Sequence, residues 1–253
     1  MSELLTRRKL ITTGLAAAAG ASGLAVAARL ADRYGLIPPD HGGIFGVGET
    51  LTYAAQRILM SHHSLAREFN GSQISKVIPV NGKPPENEPY QRLLGGKFAE
   101  WRLVVDGLVA RPSSFSLAEL KRFPSRTQIT HQACEEGWPF IAEWTGVPLS
   151  YVLNLVGVRP QAKYAVFFTF DKGWDSLDMP DAWHPQTLLA YGMNGEELPT
   201  PHGAPVRLRV TRQLGYKSLK YLSRITVTDT VKNIGKGLGS TAPEFGYSWY
   251  AGI

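Results

Sequence analysis

The stretch that decides the fold is Pro205-Val206-Arg207-Leu208-Arg209-Val210-Thr211. Apolar and polar side chains alternate along it, which predicts a β-strand, because successive side chains of a strand point to opposite faces of the sheet. The three apolar residues therefore face one side, which we expect to be the core, and Arg207 and Arg209 face the other. Residues 224–229 repeat the alternation and predict the last strand.

Helices and strands interleave on both sides of this stretch. Ser116 and Glu119 form a capping box, which predicts a short helix that Pro124 ends. Residues 126–133 predict a strand that runs into Cys134. The other predicted elements are a strand over 101–109, a helix over 148–156, a buried strand over 165–170, a helix over 185–189 and a hairpin turn at Asn194-Gly195. No regular strand–helix–strand period is present, so the sequence predicts a single-domain α+β fold.

The first 33 residues predict an export signal. Arg7 and Arg8 precede an uncharged, alanine-rich stretch, Leu10–Ala28, that is only mildly apolar. This pattern is typical of a twin-arginine signal, which carries folded proteins to the periplasm, and an ordinary anchor helix behind a basic end is the alternative. Residues 25–28 allow cleavage without requiring it. The segment is therefore either removed or retained as a membrane tether.

The rest of the 253-residue chain divides into two predicted parts. Residues 34–73 predict a linker and an amphipathic helix that ends near His62-His63, and residues 74–253 are enough for one sizeable core. The apolar face of that helix carries Leu51, Ala54, Ala55, Ile58 and Leu59. The chain has a net charge of +6, and five basic and two acidic residues before residue 34 leave +3 for the remainder. Such a weak charge predicts no nucleic-acid partner.

Cys134 is the only cysteine of the chain, so it forms no internal disulfide. An exported thiol is buried, bridges to another chain or binds a metal. A nucleophile pair of Cys134 and His131 is a further alternative, but residues three apart on a strand point to opposite faces. A metal at Cys134 also requires groups that hold the rest of a cofactor, and suitable basic and polar residues lie between positions 202 and 220.

Three ordered motifs favour the metal. They are Ala190-Tyr191-Gly192-Met193-Asn194-Gly195, His202-Gly203-Ala204-Pro205-Val206-Arg207 and Gly215-Tyr216-Lys217-Ser218-Leu219-Lys220. With these motifs the sequence resembles the sulfite oxidase family of molybdopterin enzymes, from about Ile74 to the carboxyl end. The thiol region is similar to the periplasmic methionine-sulfoxide reductase branch of that family, through Cys134-x-Glu136-x-Trp138 and Trp144-Thr145-Gly146. The resemblance implies a mixed-sheet, sulfite-oxidase-like molybdopterin-binding fold.

The resemblance also implies one molybdenum–molybdopterin cofactor per chain, with Cys134 as the protein ligand to molybdenum and Tyr191 as a catalytic residue beside the metal. The implied pterin contacts are Asn81, Thr169, His202, Arg207, Ser218, Leu219 and Lys220. The planar guanidinium of Arg207 and the point charges of Lys217 and Lys220 are suited to bind a phosphate. Residues expected to border the pocket are Glu135, Glu136, Trp138 and Trp174. The chain has no Cys-x-x-Cys-His string, so we expect no attached haem.

The implied activity is a two-electron oxygen-atom transfer at molybdenum, with electrons exchanged with another protein, for which we expect a membrane-bound cytochrome b. Sulfite oxidases gather arginines near the thiol, whereas Glu135 and Glu136 follow Cys134 here. Acidic groups repel a dianion, so we expect reduction of a small sulfoxide-type substrate, with oxidation of sulfite or another small sulfur compound as the alternative. A metal-free thiol enzyme and an anion-binding periplasmic module are alternatives of other classes. The end at Ile253, without a dimerisation domain, predicts a monomeric catalytic subunit.

Overall fold

The computed structural model describes residues 29–60 and 64–253. The twin-arginine motif and Leu10–Ala28 lie outside the described residues, as do His62 and His63, so the predictions about them stay predictions. Within the described residues, no helix is long and apolar enough to cross a membrane.

The described strands form two sheets. The first joins, from edge to edge, β2 (Ser113–Ser116), β1 (Arg102–Gly107), β10 (Leu222–Thr228), β5 (Tyr164–Thr169) and β6 (Trp174–Asp178). The second joins β3 (Arg126–Ala133), β4 (Pro139–Pro148), β7 (Leu188–Met193) and β8 (Glu196–Glu197), with β9 (Arg207–Arg209) paired to β7. Strands β1 and β10 run parallel, whereas their other neighbours run antiparallel. The first sheet is therefore mixed and the second is antiparallel, and together with the helices they confirm the predicted α+β class.

Helices connect and flank the strands. They are α1 (Gly46–Leu59), α2 (Glu88–Gly95), α3 (Leu117–Arg122), α4 (Leu149–Val156) and α5 (Met179–Ala182). The capping box of α3 is confirmed, because the Ser116 hydroxyl accepts from the Glu119 amide and the Glu119 carboxylate accepts from the Ser116 amide. Helix α4 ends as predicted, at Gly157, whose φ of 67° is accessible to glycine at little cost.

The main core lies where the two sheets and α4 meet. Val206 and Leu208 are fully buried in it, together with apolar residues of β1, β5, β10 and α4. Arg207 and Arg209 point to the opposite side, toward Trp144 of β4. The alternation predicted for this stretch is therefore confirmed, although the paired strand is only three residues long.

Several local predictions are wrong. Residues 185–189 form no helix, because 188–193 form β7, which pairs with β4 on one side and β9 on the other. Strands β4 and β6 and helix α2 were not predicted. Pairing with distant strands decides where these strands form, and local patterns do not contain that information.

Helix α1 is present, but its predicted packing face is wrong. Leu51 and Leu59 are 67% and 71% exposed, whereas Tyr53 is buried. The Tyr53 hydroxyl donates to Asp178 at 2.7 Å, and Arg57 forms ion pairs with Asp178 and Asp181 at 2.6 and 2.9 Å. The preceding segment also contacts the domain, since the Trp249 amide donates to the buried carboxylate of Asp40.

Candidate functional site

A pocket of about 270 Å³ lies at the end of β3, and Cys134 is in its wall. Residues of three segments line it together with Asp171 and Arg207: the loop 81–83, the turn after β3 and the stretch 215–221. Six of the predicted site residues are among its lining residues: Asn81, Cys134, Arg207, Ser218, Leu219 and Lys220. The structure therefore brings the thiol and the motif of residues 215–220 together.

The turn between β3 and β4 positions Cys134. The Cys134 amide donates to the Trp138 carbonyl at 3.0 Å, and the Gly137 amide donates to the Cys134 carbonyl at 3.1 Å. Gly137 has a φ of 91°, which a residue with a side chain adopts only under strain. Gly215 lies against this turn, where an added Cβ would be 3.1 Å from the Ala133 carbonyl oxygen. The thiol is consequently held at a rigid strand end and is 8% exposed.

The surroundings of the thiol favour its neutral form. Burial raises the pKa of Cys134, and Glu135 raises it further through a contact of 3.4 Å between Sγ and the Glu135 Oε2 atom. The Asn81 amide nitrogen lies 4.0 Å from Sγ and is a neutral donor. A thiol in such an environment is a weak nucleophile unless a cation compensates the thiolate.

His131 does not activate the thiol. Its side chain lines a different cavity of about 380 Å³, together with Ala66, Arg67, Phe69, Thr211 and Ile253. Along β3 the two side chains point to opposite faces, as the strand geometry predicts. The geometry therefore disfavours the alternative of a Cys–His nucleophile pair.

Arg207, which lines the pocket, and the neighbouring Arg209, which does not, are two buried cations. Both guanidinium groups lie over Trp144, at 5.0 and 5.6 Å from its ring. Arg207 donates to the carbonyls of His202 and Ser218 at 2.9 and 2.8 Å, and its Nε atom is buried without a hydrogen-bond partner. Burial lowers the pKa of Arg207 to about 10, and burial with the Arg207 charge lowers that of Arg209 to about 9.

Lys220 adds to this positive cluster, whereas His202 beside it has a pKa too low to carry a charge at neutral pH. The Lys220 ammonium donates to the carbonyls of Asn81 and Pro201 at 2.5 and 2.7 Å, which ties the loop 81–83 to the cluster. Burial, followed by the charge of Arg207, lowers the pKa of Lys220 to about 8 and that of His202 to about 4. Asp171 offsets this effect only in part.

These observations fit an anionic ligand. Crowded, desolvated cations are destabilised unless an anion compensates them, and the unsatisfied Nε atom of Arg207 is a further donor. Ser218 contributes a hydroxyl whose position is fixed, because it accepts from the Val210 amide at 3.0 Å. A phosphate beside this cluster and a metal at Cys134 would both suit a molybdopterin. Among residues 29–60 and 64–253, no group of three or more His, Cys, Asp and Glu side chains is placed to hold a metal ion, so such a cofactor would supply the remaining ligands.

Two predicted contacts lie just behind the pocket wall. Thr169 is buried, and its hydroxyl donates to Asp171 and to the Gly173 carbonyl. His202 contributes its backbone carbonyl to Arg207. Their side chains are not among the lining residues, so both act on the pocket through Asp171 and Arg207 in this structure.

Lys217 and Tyr191 are not brought to the pocket. The Lys217 ammonium is buried on Asp175 and on the Ser176 carbonyl, so it is not available as a point charge for a phosphate. Tyr191 lies on β7 opposite Thr145 and Gly146, at the far end of β4 from the thiol turn. Six strand residues separate the two sites, or about 20 Å. Tyr191 instead lines a separate cavity of about 780 Å³, and its predicted place beside the metal has no geometric support.

Among the residues expected to border the pocket, Glu135 and Trp138 line it, whereas Trp174 packs against Val166 and Val231. Glu136 accepts a hydrogen bond from the Trp138 indole at 2.9 Å. Sequence reasoning missed Gln132, Asp171 and Tyr216 as lining residues. The signal for Tyr216 was present, because it lies inside the motif 215–220. Asp171 had no such signal, since it follows a buried strand in a segment without a motif.

The chain matches the family model described as "oxidoreductase molybdopterin binding domain" over residues 93–234. It is 35% identical over 194 residues to a provisionally named protein-methionine-sulfoxide reductase subunit, YedZ1, of Azospira oryzae, covering 77% of this chain and 70% of that protein. It is 37% identical over 145 residues to the protein-methionine-sulfoxide reductase catalytic subunit MsrP of Xanthomonas axonopodis pv. citri, covering 51% of this chain and 45% of that protein.

Among solved structures, the sulfane dehydrogenase SoxCD from Paracoccus pantotrophus is similar, with a TM-score of 0.50 and 29% sequence identity. This similarity covers 52% of the present chain and 39% of that chain. The matched region 93–234 contains the thiol, Arg207 and the motif 215–220, but it begins after the loop 81–83.

Proposed function

Because the chain belongs to the oxidoreductase family with a molybdopterin-binding domain, we propose that it reduces a sulfoxide-type substrate at a molybdenum centre held by Cys134. Family membership makes the chain a molybdopterin-dependent oxidoreductase. The observation that carries the finer proposal is one pocket with a solitary thiol in its wall and a cluster of undercompensated cations, Arg207 and Lys220, beside it.

In this proposal the cationic cluster holds the cofactor through its phosphate. Arg207 uses its free Nε atom, Lys220 its ammonium and Ser218 its hydroxyl, and each gains a charge-assisted hydrogen bond. Asn81 contributes from the opposite wall, where its carbonyl already fixes Lys220. The anion relieves the repulsion between the cations, so cofactor binding and stability of the domain are linked.

When bound, the cofactor supplies a metal centre for two-electron oxygen-atom transfer. Cys134 would hold the metal as the thiolate, and the metal charge would offset the burial that otherwise keeps the thiol protonated. The Glu135 carboxylate lies 3.4 Å from Sγ and is placed to take the proton that the thiol releases. Trp138 and Tyr216 form aromatic walls that orient the substrate and exclude water.

The charge distribution supports a neutral or zwitterionic substrate. Once a phosphate compensates Arg207 and Lys220, the remaining charged lining residues are Glu135, Asp171 and Lys83, and their net negative charge repels a dianion such as sulfite. Two relatives carry names of protein-methionine-sulfoxide reductase subunits, which agrees with a sulfoxide. The similar dehydrogenase SoxCD represents the oxidative direction, so both directions belong in the assay.

Location and electron supply are further parts of the proposal. We place the chain in the periplasm, exported by the twin-arginine route, with electrons from a membrane-bound cytochrome b. The support is the pair Arg7 and Arg8 before Leu10–Ala28, and the absence of a Cys-x-x-Cys-His string for attached haem in the sequence.

The test is metal analysis and an assay panel on full-length protein made where the cofactor is synthesised. We expect about one molybdenum per chain and viologen-dependent reduction of methionine sulfoxide or dimethyl sulfoxide. Protein from a strain unable to make the cofactor is the control and should be inactive. A metal-free preparation with full activity would overturn the proposal, and activity with sulfite and an electron acceptor alone would reverse its direction.

A further inference from the structure

Helix α1 turns its apolar side away from the domain. Val47 and Leu51 lie on its outward side and are 79% and 67% exposed, and the preceding Ile44 and Phe45 are 97% and 64% exposed. Within Gly46–Leu59, which the structure describes completely, the charged residues are Glu49 and Arg57. We call Ile44, Phe45, Val47 and Leu51 the α1 apolar surface.

Both charged side chains of α1 point toward the domain. Glu49 accepts from the Ser248 hydroxyl at 2.9 Å, and Arg57 is paired with the buried carboxylates of Asp178 and Asp181. A surface helix of a soluble protein normally has the opposite arrangement. Rotation of α1 would separate Arg57 from the buried Asp178 carboxylate, which is costly, so the helix is fixed with its apolar side outward.

The apolar surface continues beyond α1. Phe245 and Tyr247 are 80% and 47% exposed, and Tyr247 lines a cavity of about 230 Å³ together with Ile44 and Phe45. The Tyr247 ring lies 5.6 Å from that of Tyr216, a residue of the thiol pocket. Contiguous apolar patches of this kind mark interaction sites, because leaving them in water is unfavourable.

We propose that the α1 apolar surface inserts into the interfacial layer of a lipid bilayer. The sequence supplies the reason for this occupant: the uncharged stretch Leu10–Ala28 ends only 17 residues before α1 and is suited to enter the same membrane. Helices with an apolar outward face lie about 5–10 Å deep in the boundary between headgroups and acyl chains. Lys236 lines the adjoining cavity but is paired with Glu244 at 3.5 Å, so we expect the insertion to rest on apolar contacts and not on anionic headgroups.

Membrane contact at α1 has a consequence for the enzyme. Through Tyr247 and Tyr216, it places the thiol pocket close to the bilayer, within reach of a membrane-bound electron donor. The inference does not depend on the proposed chemistry, because it rests on the α1 contacts, the exposed apolar residues beside them and the uncharged stretch Leu10–Ala28.

The experiment uses the full-length holoenzyme with vesicles of phosphatidylcholine and phosphatidylglycerol. A nitroxide label is attached at Leu51→Cys, and a matched label at Leu155→Cys, on the 38% exposed residue of α4, is the control. We expect the vesicles to increase collisions of the Leu51→Cys label with oxygen and to decrease collisions with a water-soluble nickel chelate. The control label should not change. Unmodified protein measures any labelling of Cys134.

A second variant removes the apolar character without touching the pocket. Val47→Glu with Leu51→Glu should weaken vesicle binding at least tenfold, since the loss of only two buried methylenes, at about 0.8 kcal/mol each, already corresponds to more than a factor of ten. Val104→Glu with Leu155→Glu is the matched control. The lipid proposal is overturned if vesicles leave the collisions of the Leu51→Cys label with the nickel chelate unchanged. It is also overturned if those collisions decrease only when a membrane-bound protein partner is present. Molybdenum content and reductase activity of the same samples report separately on the proposed function.

Discussion

Lys217 and Lys220 are neighbours in one motif, yet the structure gives them different roles, and substitution by methionine separates them. The Lys217 ammonium is bound to Asp175 and to the Ser176 carbonyl, and the two side chains of the ion pair are only 1% and 6% exposed. Lys217→Met removes the cation and leaves the buried Asp175 carboxylate uncompensated. Lys220→Met removes a cation of the cofactor pocket.

We expect Lys217→Met to lower the free energy of unfolding by about 3–5 kcal/mol, which is the usual cost of removing one partner of a buried ion pair. The loss should depend on pH. Burial already raises the pKa of Asp175 to about 6, against the opposing effect of Lys217, and removal of Lys217 raises it further. A carboxyl whose pKa is raised by folding stabilises the protein below its unfolded pKa and loses this contribution as pH rises through the folded value. The variant should therefore approach the parent protein in stability at pH 5.

Urea denaturation of the cofactor-free proteins, followed by tryptophan fluorescence at pH 7.5 and pH 5, measures this effect. Lys217→Met with Asp175→Asn should recover most of the loss, because no buried charge remains. Lys220→Met should change stability by about 1 kcal/mol or less. A loss below about 1 kcal/mol for Lys217→Met at pH 7.5, or an equal loss at both pH values, would refute the assignment of Lys217 as a structural residue.

Other predictions concern the pocket. Arg207→Lys should lower the molybdenum content of purified protein several-fold and also lower the stability of the cofactor-free protein, because an ammonium replaces a buried fork that holds two carbonyls and one free donor; unchanged content would contradict this. Affinity of the cofactor-free protein for the cofactor should fall above pH 8, by up to about tenfold per pH unit, since the pKa of Lys220 in the empty pocket is about 8 and only its charged form holds a phosphate. Lys220→Arg should abolish that dependence. Tyr191→Phe should keep kcat within about twofold of the parent value in the viologen assay, because about 20 Å of strand separate this residue from the thiol.

The parts of the fold that were predictable from sequence are those that local chemistry decides. The alternation around Arg207 marks a strand with one apolar and one basic face, and the capping box at Ser116 marks a helix start. Both signals act within a few residues, so no distant partner overrides them.

The parts that were not predictable depend on distant partners. The apolar pattern of α1 predicts an inward apolar face. Instead, Tyr53 and Arg57 donate to carboxylates that lie more than 120 residues away, on Asp178 and Asp181. These polar contacts set the orientation of the helix. Similarly, β7 forms because β4 and β9 flank it.

The candidate site divides in the same way. One pocket brings together four of the predicted residues, because each lies at or near the end of a strand. Cys134 follows β3, Arg207 begins β9, and Ser218 and Lys220 precede β10. Lys217 fits the same motif but points to Asp175, and Tyr191 fits its motif but lies at the far end of β4. A motif carries the identity of a residue, whereas the direction of its side chain depends on the packing around it.

The most direct measurement is X-ray absorption at the molybdenum edge of full-length protein and of Cys134→Ser. The account predicts that the parent protein has one sulfur ligand more than the variant, or that the variant loses the metal altogether. Equal metal content and the same number of sulfur ligands in both proteins would contradict the bond between the Cys134 thiolate and molybdenum.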